Sequence, residues 1–132
     1  METEFDRKVA LLLAKDPRYH REVYYFVAEA VNFTVSKRKA RGHVSAAQLL
    51  DGIREFAVFK YGAVADIVMS QWGLVMESDA GKVVYLLISV RLLSASEDDR
   101  PEDFDTGKPL FGKVPQIRTV RRKSDAWQYI DN

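Results

Sequence analysis

The chain has 132 residues, 47% of them hydrophobic and 30% charged, with a formal net charge of +1 and no cysteine. That length suits one domain able to bury a core without staples, and the missing thiols exclude disulfides, thiolate nucleophiles and thiolate metal ligands. A near-neutral balance gives no long-range field for nucleic acid or anionic lipid, no uncharged run approaches the length that spans a bilayer, and the opening Met-Glu-Thr-Glu-Phe-Asp lacks the basic and apolar regions of a secretion signal, so the expected setting is cytoplasmic and away from membranes.

Thr3 is placed to cap a first helix. Phe5, Val9, Leu12 and Leu13 come after it at helical spacing, Glu4 and Asp6 fall in the first turn and Lys15 in the last, and Asp16-Pro17 stops the helix. A second helix is expected from about Arg18 to Lys39. Tyr19, Val23, Phe26, Val27 and Ala30 make its stripe, and Tyr24 and Tyr25 widen it, so more than one side should be covered. Gly42 is its natural stop.

The third helix starts at Ser45, whose spacing to Gln48 is that of a capping box. Leu49, Leu50, Ile53, Phe56 and Ala57 form its buried face, and Gln48, Asp51, Arg54 and Glu55 its wet one. Gly62 breaks it. A fourth helix, Ala63 to about Trp72, is expected to bury Val64, Ile67 and Val68, and Gly73 closes it. The glycines at 42, 62, 73 and 81 read as punctuation at element ends. Ser78 or Asp79 caps a fifth element reaching Leu93. There Val83, Leu86, Leu87 and Val90 fit a helix, while Val84, Leu86, Ile88, Val90 and Leu92 alternate as in a strand; length and cap favour the helix.

From Ser94 the composition changes. Residues 97–105 are acidic, residues 107–123 are basic, and Pro101, Pro109 and Pro115 forbid one continuous helix. The fold class is therefore mainly α: a compact bundle of about five helices over residues 1–93, then an acidic-then-basic, extended and partly irregular segment over 94–132, in which Val114 to Val120 has the pattern of one short edge strand. The end, Trp127-Gln-Tyr129-Ile130, is more apolar than a free tail needs.

Chemistry is sparse. His20 and His43 lie on different elements without a helical histidine partner, so zinc would need carboxylates brought in by the fold. The acidic stretch lacks the spacing and glycine of an EF-hand. No nucleophile elbow, P-loop or dinucleotide fingerprint occurs. Asp51 and Glu55, at i and i+4, are the best carboxylate pair, and exposed helices commonly carry such pairs. A helix-turn-helix reading through Gly62 gives a recognition helix with no Lys or Arg and with Asp66 against phosphate, which argues against sequence-specific DNA binding. Two basic clusters remain as a candidate interaction surface: Lys37, Arg38, Lys39 and Arg41, and Arg118, Arg121, Arg122 and Lys123, the second near the stacking aromatics Trp127 and Tyr129. The bland reading of the first cluster is that it caps its helix dipole and pairs with the acidic 97–105 segment.

Lys15-Asp16-Pro17-Arg18-Tyr19, Gly42-His43-Val44-Ser45 with Leu49-Leu50-Asp51-Gly52-Ile53-Arg54, Gln71-Trp72-Gly73 and the run from Glu97 to Phe104 form a linked set. On these the chain, over about residues 4–105, resembles a family of small bacterial proteins of unknown function. The resemblance implies a compact helical fold in the cytosol and no activity, and the basic stretch after Asp105 departs from it. The expectation is a non-enzymatic interaction or adaptor domain with no catalytic residues, metal or cofactor. It would bind a protein partner or a second copy through the C-terminal tail; an RNA-associated accessory role is the alternative.

Overall fold

A computed structural model describes residues 1–38, 44–95 and 99–111. These described residues form five helices: α1 (Glu4–Lys15), α2 (Arg21–Arg38), α3 (Ala46–Tyr61), α4 (Ala65–Gln71) and α5 (Glu77–Ser89), with 3-10 turns at Gly62–Val64 and Pro101–Phe104. The protein is mainly α as expected, and among the described residues the only β feature is an antiparallel bridge between Met76 and Pro109. None of the described helices is long and apolar enough to cross a membrane. Val114 to Val120, Gly42 and His43 lie outside the described residues.

Local capping sets most helix ends. The Thr3 hydroxyl accepts the Asp6 N–H and the Asp6 carboxylate accepts the Thr3 N–H, both at 3.0 Å. Ser45 and Gln48 make the same reciprocal box at 3.1 and 3.0 Å, each satisfying backbone donors that no helical carbonyl can reach. The second helix starts at Arg21 rather than Arg18. His20 is the reason: its Nδ1 accepts the Glu22 N–H at 3.0 Å, and its own N–H is donated to the Trp72 carbonyl at 3.1 Å. Tyr19 precedes the helix yet is fully buried.

The α2 stripe is buried as its spacing requires, from Val23 through Phe26, Val27 and Ala30, and Tyr24 is buried beside it. α2 packs on α1, α3 and α5 and is the central helix. Its tightest neighbour is α3. A Cβ placed on Gly52 would lie 1.8 Å from the Thr34 Oγ1 and 2.8 Å from the Thr34 Cβ, so only glycine lets the two helices approach this closely. Thr34 is itself buried and returns its hydroxyl to the Ala30 carbonyl at 2.7 Å.

Past Gly62 the expected phase is wrong. The stretch from Ala63 to Trp72 splits into the 3-10 turn and α4, and the core contact comes from Ala65 and Met69. Val64 is 50% exposed, and Ile67 and Val68 are half-buried. Three residues wound at three per turn instead of 3.6 rotate the next helix by about 60°, which moves Val64 off the core face.

The ambiguous fifth element is a helix. Its start is held by Asp79, whose carboxylate accepts the Val75 and Met76 N–H groups at 3.2 and 2.9 Å and the Tyr19 hydroxyl at 3.1 Å. It ends at Ser89, short of Leu93. Gly81 is no punctuation mark: it lies inside α5, where a Cβ would meet the Phe104 Cβ at 2.4 Å. Phe104 and Leu110 are both buried, so residues 99–111 fold back on the helices. Lys108 and Leu110 bracket the link before α5, through Glu77 N–H to the Lys108 carbonyl at 2.9 Å and Leu110 N–H to the Val75 carbonyl at 2.8 Å.

α4 and α5 close by the same device. Gly73 and Leu74 donate to the Ser70 and Met69 carbonyls at 3.0 and 2.8 Å, and Arg91 and Leu92 to those of Ile88 and Leu87 at 2.9 Å each. This is the 5→2, 6→1 pattern of a Schellman cap, whose left-handed residue is usually glycine. At α5 that residue is Arg91, at φ 65°, a conformation costing a side chain roughly 1–2 kcal/mol. Arg91→Gly is expected to raise stability by about 0.5–1 kcal/mol after the added freedom of the unfolded chain is subtracted, read as a denaturant midpoint that moves up at constant slope.

Candidate interaction surface

The described ionisable groups are spent largely on structure. Glu77 is only 8% exposed. Its carboxylate accepts the Arg54 Nη1 at 3.0 Å and the Thr106 hydroxyl. Arg54 Nη1 also reaches the Leu110 carbonyl at 2.8 Å, and Nη2 reaches Asp51 at 2.7 Å. Arg54 therefore does not face water as its helical position suggests; it ties α3 to α5 and to the returning 106–110 segment. The Tyr25 hydroxyl donates to Asp6 and holds that carboxyl below its ordinary range, and Arg18 does the same to Asp16 across 2.6 Å.

His20 stacks on Trp72 with ring centroids 5.7 Å apart, beside its capping bond. Among the described residues no group of three histidine, cysteine, aspartate or glutamate side chains could hold a metal ion. Asp51 and Glu55 do not converge on a shared space, since Asp51 pairs with Arg54 and Glu55 with Lys37 at 2.6 Å.

Two surfaces stand out among the described residues. The first is a groove of about 350 Å³ between α2, the start of α3, the second half of α5 and the 3-10 turn. Val31, Val35, Leu49, Val84, Ile88 and Phe104 line it, together with the charged Asp99, Arg100 and Asp103. Val35 is 39% exposed. The second is an aromatic face on α2 and α3. Phe33 meets Phe56 at 5.1 Å and Phe56 meets Phe59 at 6.3 Å between centroids. Lys37 lies over the Phe33 ring and Lys60 over the Phe56 ring, at 5.7 and 5.6 Å.

Of the basic candidates, Lys37 is described in full and Arg38 ends α2. Lys39, Arg41, Arg118, Arg121, Arg122, Lys123, Trp127 and Tyr129 lie outside the described residues. Lys37 is bound to Glu55 of the neighbouring helix, which is not the acidic 97–105 partner expected for its cluster. Sequence reasoning missed both surfaces and the Arg54–Glu77 tie. Phe33, off the α2 stripe, and the i, i+3 pair Phe56 and Phe59 were the available signal for the aromatic face; the groove and the tie had none. No family model, curated protein or solved structure matches the chain.

The Arg54 tie and the buried Tyr19 hydroxyl each make a measurable demand. Arg54→Ala leaves Glu77 without its charged partner and the Leu110 carbonyl without its guanidinium donor, and is expected to destabilise by about 2–3 kcal/mol and to speed hydrogen exchange at the Leu110 amide. The second demand concerns alkali. Burial, and then the charge of Asp79, raise the Tyr19 hydroxyl above its ordinary value of 10.0. A raised folded value contributes stability that is whole below the unfolded value and lost as pH climbs through the folded one. Stability is therefore expected to fall as pH rises past about 10, and less steeply in Tyr19→Phe, as measured by denaturant midpoints across alkaline pH.

Proposed function

We propose that this chain is a non-enzymatic helical interaction module of the cytoplasm, akin to the small bacterial family that its motifs resemble. It works by binding an extended apolar and basic segment in the groove between α2, α3 and α5. The observation that carries this reading is the groove itself, lined mostly by apolar side chains, with Asp99 and Asp103 beside Arg100 among its polar ones. Its best-matched occupant is the protein's own C-terminal segment, residues 112–132, from the same chain or from a second copy.

That segment carries Val114, Ile117, Val120, Trp127, Tyr129 and Ile130 among Lys113, Arg118, Arg121, Arg122 and Lys123. It departs from Leu110, held by Arg54 on α3, and Leu49, earlier on the same helix, lines the groove. Five residues of helix span about 7.5 Å, and an extended chain covers roughly 3.3 Å per residue, so the segment reaches the groove with length to spare.

An RNA-associated accessory role draws on the Lys37–Phe33 contact, since stacking aromatics beside cations suit single-stranded RNA. Glu55 and Glu29 neutralise Lys37 and Lys60 where the rings lie, which leaves that reading weaker.

The test is a labelled peptide of residues 113–132 titrated into a chain ending at Phe111. Binding that weakens with salt, is lost in Val35→Glu and is poorer to the full-length chain, whose own segment competes, is the expected result. Absence of binding at low salt to a chain that retains its helical signal would sink the reading. A comparable affinity of the full chain for a same-length RNA, abolished by Lys37→Ala, would establish the alternative instead.

A further inference from the structure

The aromatic face on α2 and α3 takes no part in the groove, and its pattern is complementary to itself. The two helices run antiparallel, as their cross-helix ion pairs show: Lys60 to Glu29 at 3.3 Å at one end, and Lys37 to Glu55 at 2.6 Å at the other. Charge signs therefore alternate around four corners, with Glu29 and Lys37 on the α2 side and Lys60 and Glu55 on the α3 side. Between them lie Phe33, Phe56 and Phe59, and Phe59 is 78% exposed.

A symmetric dimer meets its partner across a two-fold axis lying in the interface. If that axis runs along or across the helices, every lysine corner faces a glutamate corner of the partner. If it runs diagonally, glutamate faces glutamate. Shape chooses between the two permitted axes. Beside the Lys37–Glu55 end is a dimple of about 250 Å³ lined by Phe33, Thr34, Lys37, Gly52 and Glu55. Gly52 and Thr34, packed directly against one another, form part of its wall. A cavity of about 150 Å³ already accepts a benzene ring. Phe59, seven residues further along α3, lies about 10 Å away on the same face. Only an axis across the helices brings Phe59 of one copy over the partner's dimple, and symmetry supplies the converse contact.

We propose that this face is a homodimer interface in which Phe59 of each copy enters the Thr34–Gly52 dimple of the other. Lys60 then meets the partner's Glu55, and Glu29 meets the partner's Lys37. The occupant is a second copy because one face supplies both knob and hole and both signs of charge.

Light scattering on the full-length protein across a concentration series tests this. A dimer is expected. Phe59→Asp is expected to weaken it by at least about a hundredfold with an unchanged helical signal, since that side chain is largely outside the core. Lys60→Glu and Glu55→Lys, each alone, set like charges against one another and are expected to weaken the dimer about tenfold. Mixed in equal amounts, the two variants are expected to re-form a heterodimer, which a purely internal effect of either change would not produce. A monomeric full-length protein, an unaltered mass in Phe59→Asp, or a mixture that stays monomeric would overturn the interface. Recovery on mixing Lys60→Glu with Glu29→Lys instead would place the axis along the helices and refute the Phe59–Gly52 fit. None of these residues lines the groove, so the binding of residues 113–132 succeeds or fails independently.

Discussion

The separation of α2 and α3 is decided at one point, where Gly52 sits against Thr34. No Cβ fits there, so the helices approach more closely than side-chain packing ordinarily allows. Much of the molecule's outer character depends on that contact. The short separation lets Phe33 and Phe56 touch across the pair and brings Lys37 and Lys60 within reach of glutamates on the opposite helix. A bulkier residue at 52 would collide with Thr34, push the helices apart and pull the cross-helix ion pairs out of register together.

The second constraint is the Arg54–Glu77 pair. A carboxylate this buried is tolerable only with a charged donor and further hydrogen bonds around it; Arg54 and Thr106 donate to it, and Arg54 is itself oriented by donating to the Leu110 carbonyl. The pair does more than join two helices. It pins the segment that carries Phe104 and Leu110 into the core, and Phe104 in turn lines the groove. The groove thus depends on a return of the chain to α5, and the start of the C-terminal segment is held against α3 by the same guanidinium.

Helix starts were readable wherever the deciding chemistry is local. Thr3 with Asp6 and Ser45 with Gln48 cap as their spacing implies, because each box involves only neighbours in sequence. The α2 stripe was readable for the same reason, since burial of Val23, Phe26, Val27 and Ala30 needs only a 3.6-residue period and something to pack on. α4 was not. A 3-10 turn of three residues, which no periodicity announces, rotated it and exposed Val64. The strand alternative over Val84 to Leu92 fails because Asp79 holds a helix start and Gly81 receives Phe104, a partner more than twenty positions away. The basic cluster at 37–41 was legible as charge, yet its described member is neutralised by a glutamate on another helix.

What the sequence by itself determined, then, is the kind of element and most of the places where elements begin, since capping, proline and apolar period act within a few residues. Which faces remain open was decided only by the tertiary structure. Gly81 reads as punctuation until Phe104 is in place and Gly52 carries no packing signal without Thr34, and Arg54 reads as a solvent-facing residue until Glu77 and Leu110 arrive. Close approach and burial of charge are properties of pairs distant in the chain, and no local pattern encodes the distance between them.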